Sequence, residues 1–187
     1  MAALYGICQE KMKHIILLLI TTTMSAQTII NFKEKPTTEN WYIVDDVVMG
    51  GRSSGKFEIT KEGYGKFSGD VSLENNGGFS SARYEMEPLK VSPDNKIRIK
   101  LKGDGSSYQF RVKANKQDYY SYIVKFDTTG DWQTLEFALA DLYPTFRGRK
   151  LELPNFDKTT IEEIRFLIGN KKPQQFELLL EKIEVVL

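Results

Sequence analysis

The stretch Ile97-Arg98-Ile99-Lys100-Leu101-Lys102, the turn Gly103-Asp104-Gly105 and the run Tyr108-Gln109-Phe110-Arg111-Val112-Lys113 decide how this chain folds. In both runs every second residue is apolar and the residues between are cations or an amide. Successive side chains of a strand point to opposite faces, so Ile97, Ile99 and Leu101 share one face and three cations share the other. A helix would need its apolar residues three and four apart. The same alternation recurs outward from this stretch. Tyr120, Tyr122, Val124 and Phe126 share a face, and Leu135, Phe137 and Leu139 follow Trp132. Ile164, Phe166 and Ile168 form another set, and Phe176, Leu178 and Leu180 lie near the end. One dry and one wet face per strand is the pattern of antiparallel sheets over a shared core.

The separators are turn residues. Asn75-Asn76-Gly77-Gly78 fits a tight hairpin, because Asn and Gly accept positive φ. Gly103-Asp104-Gly105 and Asp127-Thr128-Thr129-Gly130-Asp131 read as joints of the same kind. Short strands with a turn signal every 8–12 residues or so predict an all-β jelly-roll β-sandwich. Helix is scarce. Thr159-Thr160-Ile161-Glu162-Glu163 has a capping threonine ahead of acidic residues and reads as one helical turn. Residues 155–157 and 138–143 read as loop or 3₁₀. No linker, repeat or low-complexity tract divides residues 27–187, which are expected to form one jelly-roll domain.

Residues 1–26 read as a secretory signal peptide. Lys11-Met12-Lys13-His14 is basic, Ile15 to Ile20 is apolar, and Ser25-Ala26 supplies small residues before Gln27. Translation from Met12 gives the same signal, and cleavage falls after Ala26 or after Ser25. The apolar run is far short of the ~20 residues that span a bilayer, so no stable membrane span is expected and the chain reads as exported, periplasmic or secreted. If the signal is unused, the protein is cytoplasmic.

Past that signal the chain carries no histidine and no cysteine, since His14 and Cys8 are the only ones. Imidazole bases, thiolate nucleophiles and His/Cys metal ligands are therefore excluded from the body. With no disulfide available, stability must come from the core. Setting aside Lys11, Lys13 and Glu10 leaves 24 basic and 24 acidic side chains. Zero net charge gives no long-range pull on nucleic acid, and none is expected as a partner.

Four segments carry a resemblance. They are Trp41 to Ser53 (WYIVDDVVMGGRS), Phe67 to Arg83 (FSGDVSLENNGGFSSAR), Gly103-Asp104-Gly105 with Tyr108-Gln109-Phe110-Arg111, and Phe146-Arg147-Gly148-Arg149. In this order and spacing the chain resembles the complex I intermediate-associated protein 30 family, from about Ile29 to Val186. The resemblance implies a galactose-binding-like jelly roll. Mitochondrial members are chaperones for the assembly of NADH:ubiquinone oxidoreductase, so it also implies a protein-binding, assembly-factor-like module and not an enzyme. The N-terminus lacks a transit composition, with no arginine before Arg52. The fold is shared with carbohydrate-binding modules, which gives the alternative of an exported carbohydrate-binding module.

The candidate partner- or ligand-binding residues are Asp45, Asp46, Met49, Gly50, Gly51, Gly77, Gly78, Phe79, Arg83, Asp104 and Tyr108. Asp45-Asp46 with Met49-Gly50-Gly51 reads either as a contact loop or as carboxylates bonding nearby amides. Arg83 reads either as a carboxylate-binding group or as half of an internal salt bridge to an aspartate. Asp45, Asp46, Asp70 and Asp104 are oxygen donors, but their spacing is not that of a calcium loop, and no metal or cofactor is expected. Gly103-Asp104-Gly105 lies between two strands, which is a poor phosphate cradle. Of the aromatic pair Tyr119-Tyr120, alternation turns one ring to solvent. A hydrolase without histidine would need two carboxylates ~5–10 Å apart in a groove, and no such pair is marked.

Overall fold

The structure, a computed structural model, describes residues 25–186. The expected signal peptide lies outside the described residues except for Ser25 and Ala26. Thirteen strands account for most of the rest. Where the sequence alternates, the strand buries every second side chain. In β6 (Lys96–Lys102) Ile97, Ile99 and Leu101 are wholly buried, and in β7 (Ser107–Lys113) Tyr108, Phe110 and Val112 are buried.

The strands form two antiparallel sheets. One runs β3 (Ser54–Ile59), β4 (Gly65–Val71), β13 (Gln174–Val186), β6, β9 (Trp132–Ala138), with β1 (Ala26–Asn31) on the far half of β13. The other runs β11 (Arg149–Lys150), β10 (Tyr143–Phe146), β8 (Ser121–Asp127), β7, β12 (Thr160–Ile168), β5 (Ser80–Lys90), β2 (Trp41–Asp45). Their apolar faces meet in one core holding Phe67, Phe110, Phe166 and Leu178, all without exposed surface. Each phenylalanine buried this way contributes roughly 1.5–3 kcal/mol, which is how a chain without disulfides is held. Trp41 of the second sheet stacks on Phe57 of the first with centroids 4.1 Å apart, and Phe32 and Tyr84 close round them. This is the expected β-sandwich.

Three joints differ from expectation in what they connect. Residues 75–78 lead from β4 to β5, residues 103–105 from β6 to β7, and residues 127–131 from β8 to β9. Each carries the chain from one sheet to the other, so none is a hairpin. The positive φ of Asn75, Asn76, Gly78, Gly105 and Gly130 is as expected. Local dihedrals follow from residue type, but the pairing partner depends on which sheet buries the next strand. With the turns after β2 and β12, five crossings gather at one end of the sandwich.

The helical turn expected at 159–163 is also corrected, because Thr160 begins β12. The register against β5 slips between Ile161 and Glu163. This bulge buries Ile161 and then Ile164, three apart, and so imitates a helical spacing inside a strand. Leu139–Asp141 is a 3₁₀ turn, as read from sequence.

Candidate functional site

The expected loop residues converge at the crossing end. Beyond β2 the chain makes a 3₁₀ turn over Asp46–Met49. Asp46 is wholly buried, and four donors meet its carboxylate. The Ser53 amide donates to Oδ1 at 2.9 Å, while the Ser53 hydroxyl (2.5 Å) and the amides of Gly78 (2.5 Å) and Phe79 (3.1 Å) donate to Oδ2. Burial pushes this carboxyl up, but the bonds from Ser53, Gly78 and Phe79 outweigh it and hold the pKa below the usual carboxylate range. Two glycines make the approach possible. A Cβ on Gly51 would overlap the carboxylate, and one on Gly77 would lie 2.6 Å from Oδ2.

Asp46 thereby ties residues 46–53 to residues 73–79. Asn75 Nδ2 donates to the Gly50 carbonyl at 3.1 Å, and Arg52 pairs with Glu74 at 2.8 Å. Asp45 accepts the Gly55 amide at 2.9 Å. Of the two readings of Asp45-Asp46, these bonds place both carboxylates on nearby amides. The exposed surface of the loop is apolar instead. Val47, Val48 and Met49 are 60%, 73% and 59% exposed, and Leu73 is also exposed. The sequence reading named Met49 among these and missed Val47, Val48 and Leu73. The signal for Val47 and Val48 was a short aliphatic run, VVM, with no alternation and followed by Gly50-Gly51.

The remaining candidates lie apart from this loop. Asp104 Oδ1 accepts the Ser106 amide (3.0 Å) and the Tyr108 hydroxyl (3.1 Å), and Oδ2 accepts the Glu177 amide (3.1 Å). Tyr108 is a core ring whose hydroxyl pKa is driven far up by burial and by Asp104. Both have structural partners. Tyr119 is the exposed ring of its pair, 64% accessible, while Tyr120 is half-buried. Among the described residues no group of three Asp, Glu, His or Cys is placed to hold a metal. No helix there is long and apolar enough to cross a membrane.

Arg83 corrects an expectation. Among the described residues it forms no salt bridge to any aspartate, and its Nε is enclosed without an acceptor. It stands on β5 with its side chain away from the core, facing Tyr42 on β2, with 6.0 Å from its guanidinium carbon to the ring centroid. Register continues that row as Arg83, Arg165, Arg111, Ile123, Tyr143 across β5, β12, β7, β8 and β10. Tyr42 donates to Glu85 at 2.9 Å and to Glu163 at 3.4 Å. Burial, then the bond to Glu85, raises its pKa and keeps it a donor. Sequence reading isolated Arg83 but not this row, because nothing local aligns residues 83, 111 and 165.

Comparison with known proteins places this geometry. The family model described as complex I intermediate-associated protein 30 matches residues 30–180. No curated protein matches the chain. The family 11 carbohydrate-binding module of the cellulosomal cellulase Lic26A-Cel5E of Clostridium thermocellum is similar in structure, with a TM-score of 0.66 and 16% identity over 88% of this chain and 96% of that one. The family 11 module from Clostridium thermocellum in complex with a β-1,3-1,4-mixed-linked tetrasaccharide gives 0.64 and 17%, over 88% and 97%. An agarase, AgWH50C, gives 0.56 and 13%, over 86% of this chain and 24% of the enzyme. At these identities the likeness is one of fold.

Proposed function

We propose, from the premise that this chain belongs to the complex I intermediate-associated protein 30 family, that it is an exported, non-catalytic module that holds another protein, as an assembly factor does. The observation that carries the reading is the apolar knuckle of Val47, Val48 and Met49 over the buried Asp46. Interface centres are apolar, and methionine adapts to an irregular surface. Fixing the loop from below lowers the ordering cost of binding. Absence of catalysis is supported by the lack of histidine and cysteine among the described residues, and by the engagement of Glu163 with both Arg165 and Tyr42. Export rests on the pattern of residues 1–26.

A photo-crosslinking residue at position 48 of the full chain tests the proposal. We expect one discrete protein adduct from the producing cell's envelope, lost in a Met49→Asp variant whose melting temperature is unchanged. An adduct pattern equal to that from a crosslinker at Lys116, on the opposite end, would refute it. A second reading, carbohydrate binding, is favoured by one observation: Tyr42 and Tyr143 stand at the two ends of the outward row on the β2–β10 sheet. Rings so placed offer sugar faces a stacking surface.

A further inference from the structure

The two sheets treat the charges on their outer faces in opposite ways. On the sheet centred on β13 they are matched. Arg98 bonds Glu136 (2.7 Å) and Glu184 (3.1 Å), Lys100 bonds Glu181 (2.8 Å), and Lys66 bonds Glu58 (2.8 Å). On the other sheet, Arg83, Arg165 and Arg111 stand side by side on adjacent strands. Adjacent strands are ~4.8 Å apart, and like charges directly opposite each other destabilise a sheet.

Little compensates this row. Arg165 pairs with Glu163. Arg111 donates through Nε (3.1 Å) and Nη2 (2.6 Å) to Gln109 Oε1, a neutral acceptor. Arg83 has the Tyr42 ring on one side and Arg165 on the other, its Nε has no acceptor, and among the described residues no carboxylate pairs with it. Lys113 and Lys125, two residues along β7 and β8, add cations, and the further carboxylates are Glu85 on β5, Asp127 at the end of β8, where it bonds Ser107, and Asp118 near Lys113. These side chains point away from the core, yet Arg165, Glu163 and Ile123 are 8%, 2% and 3% exposed. The face is therefore a trough. Burial, together with the neighbouring Arg83, lowers the pKa of Arg111 to about 10 and that of Arg165 to about 9. A guanidinium nonetheless keeps its proton, so the unfavourable energy stays in the free protein. An anion seated in the trough relieves it.

We propose that this trough binds an acidic saccharide, whose carboxylate or sulfate groups are held by Arg83 and Arg111 while Tyr42 and Tyr143 carry sugar faces at its two ends. The proposal rests on the second reading above, in which this sheet face is the sugar surface. Planar guanidinium forks match carboxylate and sulfate oxygens two at a time. A row of such forks bounded by rings suits a charged sugar chain better than a peptide, for which the trough offers one buried aliphatic side chain, Ile123.

Calorimetric titration of the full chain provides the test, using a galacturonate hexamer, its methyl ester, a sulfated hexasaccharide, a neutral mixed-linked glucan oligomer and polyglutamate. We expect an acidic hexamer to bind with an affinity that falls with added salt. The methyl ester should bind about tenfold or more weaker, as should Arg83→Gln and Arg111→Gln with the acid. Preference between the galacturonate and the sulfated oligomer identifies the anionic group. Arg83→Gln removes no ion pair, so its melting temperature should equal that of wild type, and Arg83→Lys should recover only part of the affinity. Equal binding of acid and ester, or of wild type and both glutamine variants, overturns the role of charge while leaving the sugar surface standing. Silence of every saccharide at millimolar concentration overturns the proposal and the sugar surface together. Polyglutamate binding as tightly as the hexamers overturns the saccharide and assigns the trough to an acidic protein segment.

Discussion

Asp46 shows how one residue fixes a surface it does not belong to. Its carboxylate is wholly buried, takes four donors, and lies against two glycines that have no room for a Cβ. Asp46→Ala would leave those donors enclosed and unpaired. Hydrogen bonds to a charged group contribute ~1.5–3 kcal/mol each, so a loss of ~3 kcal/mol or more is expected in urea unfolding. Gly51→Ala should destabilise in the same direction. Val48→Asp should leave stability unchanged, because the side chain meets solvent. The charge on Asp46 also sets an acid limit. Its folded pKa is below the ordinary value of ~3.9, so its contribution is complete above that value and is lost as pH falls through the folded pKa. Melting temperature on acidification below pH ~4 should fall more steeply in wild type than in Asp46→Asn, and parallel curves would assign the acid limit to other carboxylates.

At the level of elements, the strands were legible because period two survives wherever one face is dry. The exceptions have identifiable causes. Where β12 meets extra residues of β5, the register slips between Ile161 and Glu163, and Ile161 and Ile164 come out buried three apart, a helical spacing. Residues 75–78, 103–105 and 127–131 declare a turn through their glycines and asparagines, but a turn does not name the strand it delivers the chain to. The loop candidates 45–51 and 77–79 were marked in the sequence by their aspartates and glycines and by the family resemblance, and only the fold shows that both lie on Asp46. The arginine row was hidden for the opposite reason. The balance of 24 basic and 24 acidic side chains over residues 27–187 averages over the whole surface, and the row exists only once β5, β12 and β7 are in register. That register makes a prediction for β7. Arg111 is half-buried, faces Arg165 and has a neutral acceptor only, so Arg111→Met should leave stability unchanged or raise it by ~1 kcal/mol. A clear fall in the urea midpoint would show that the guanidinium stabilises the free sheet, and would remove the energetic case for an anion there.

On the scale of the whole molecule, the question is whether two sheets joined by many crossings behave as one folding unit. β13 binds the first sheet together, since it pairs with β4, β1 and β6. Contact between the sheets is dense where Trp41 stacks on Phe57 at 4.1 Å with Phe32 alongside. Truncating a buried aromatic ring typically removes ~3–5 kcal/mol, so Phe57→Ala should take a large part of the total stability of a domain this size. The chain supplies its own reporters of whether that loss is shared. Its two tryptophans lie in different sheets, Trp41 on β2 and Trp132 on β9. Trp132→Phe leaves fluorescence from the second sheet alone, and Trp41→Phe leaves it from the first. One core filled from both faces predicts that each single-tryptophan protein shows a fluorescence transition coincident with its own far-ultraviolet circular dichroism, and that Phe57→Ala shifts both probes by the same free energy. Separate midpoints within one variant would mean that a sheet can hold its fold after the other has melted. In that case the crossings at the Asp46 end, and not the shared apolar core, would be what keeps the knuckle and the trough in one body.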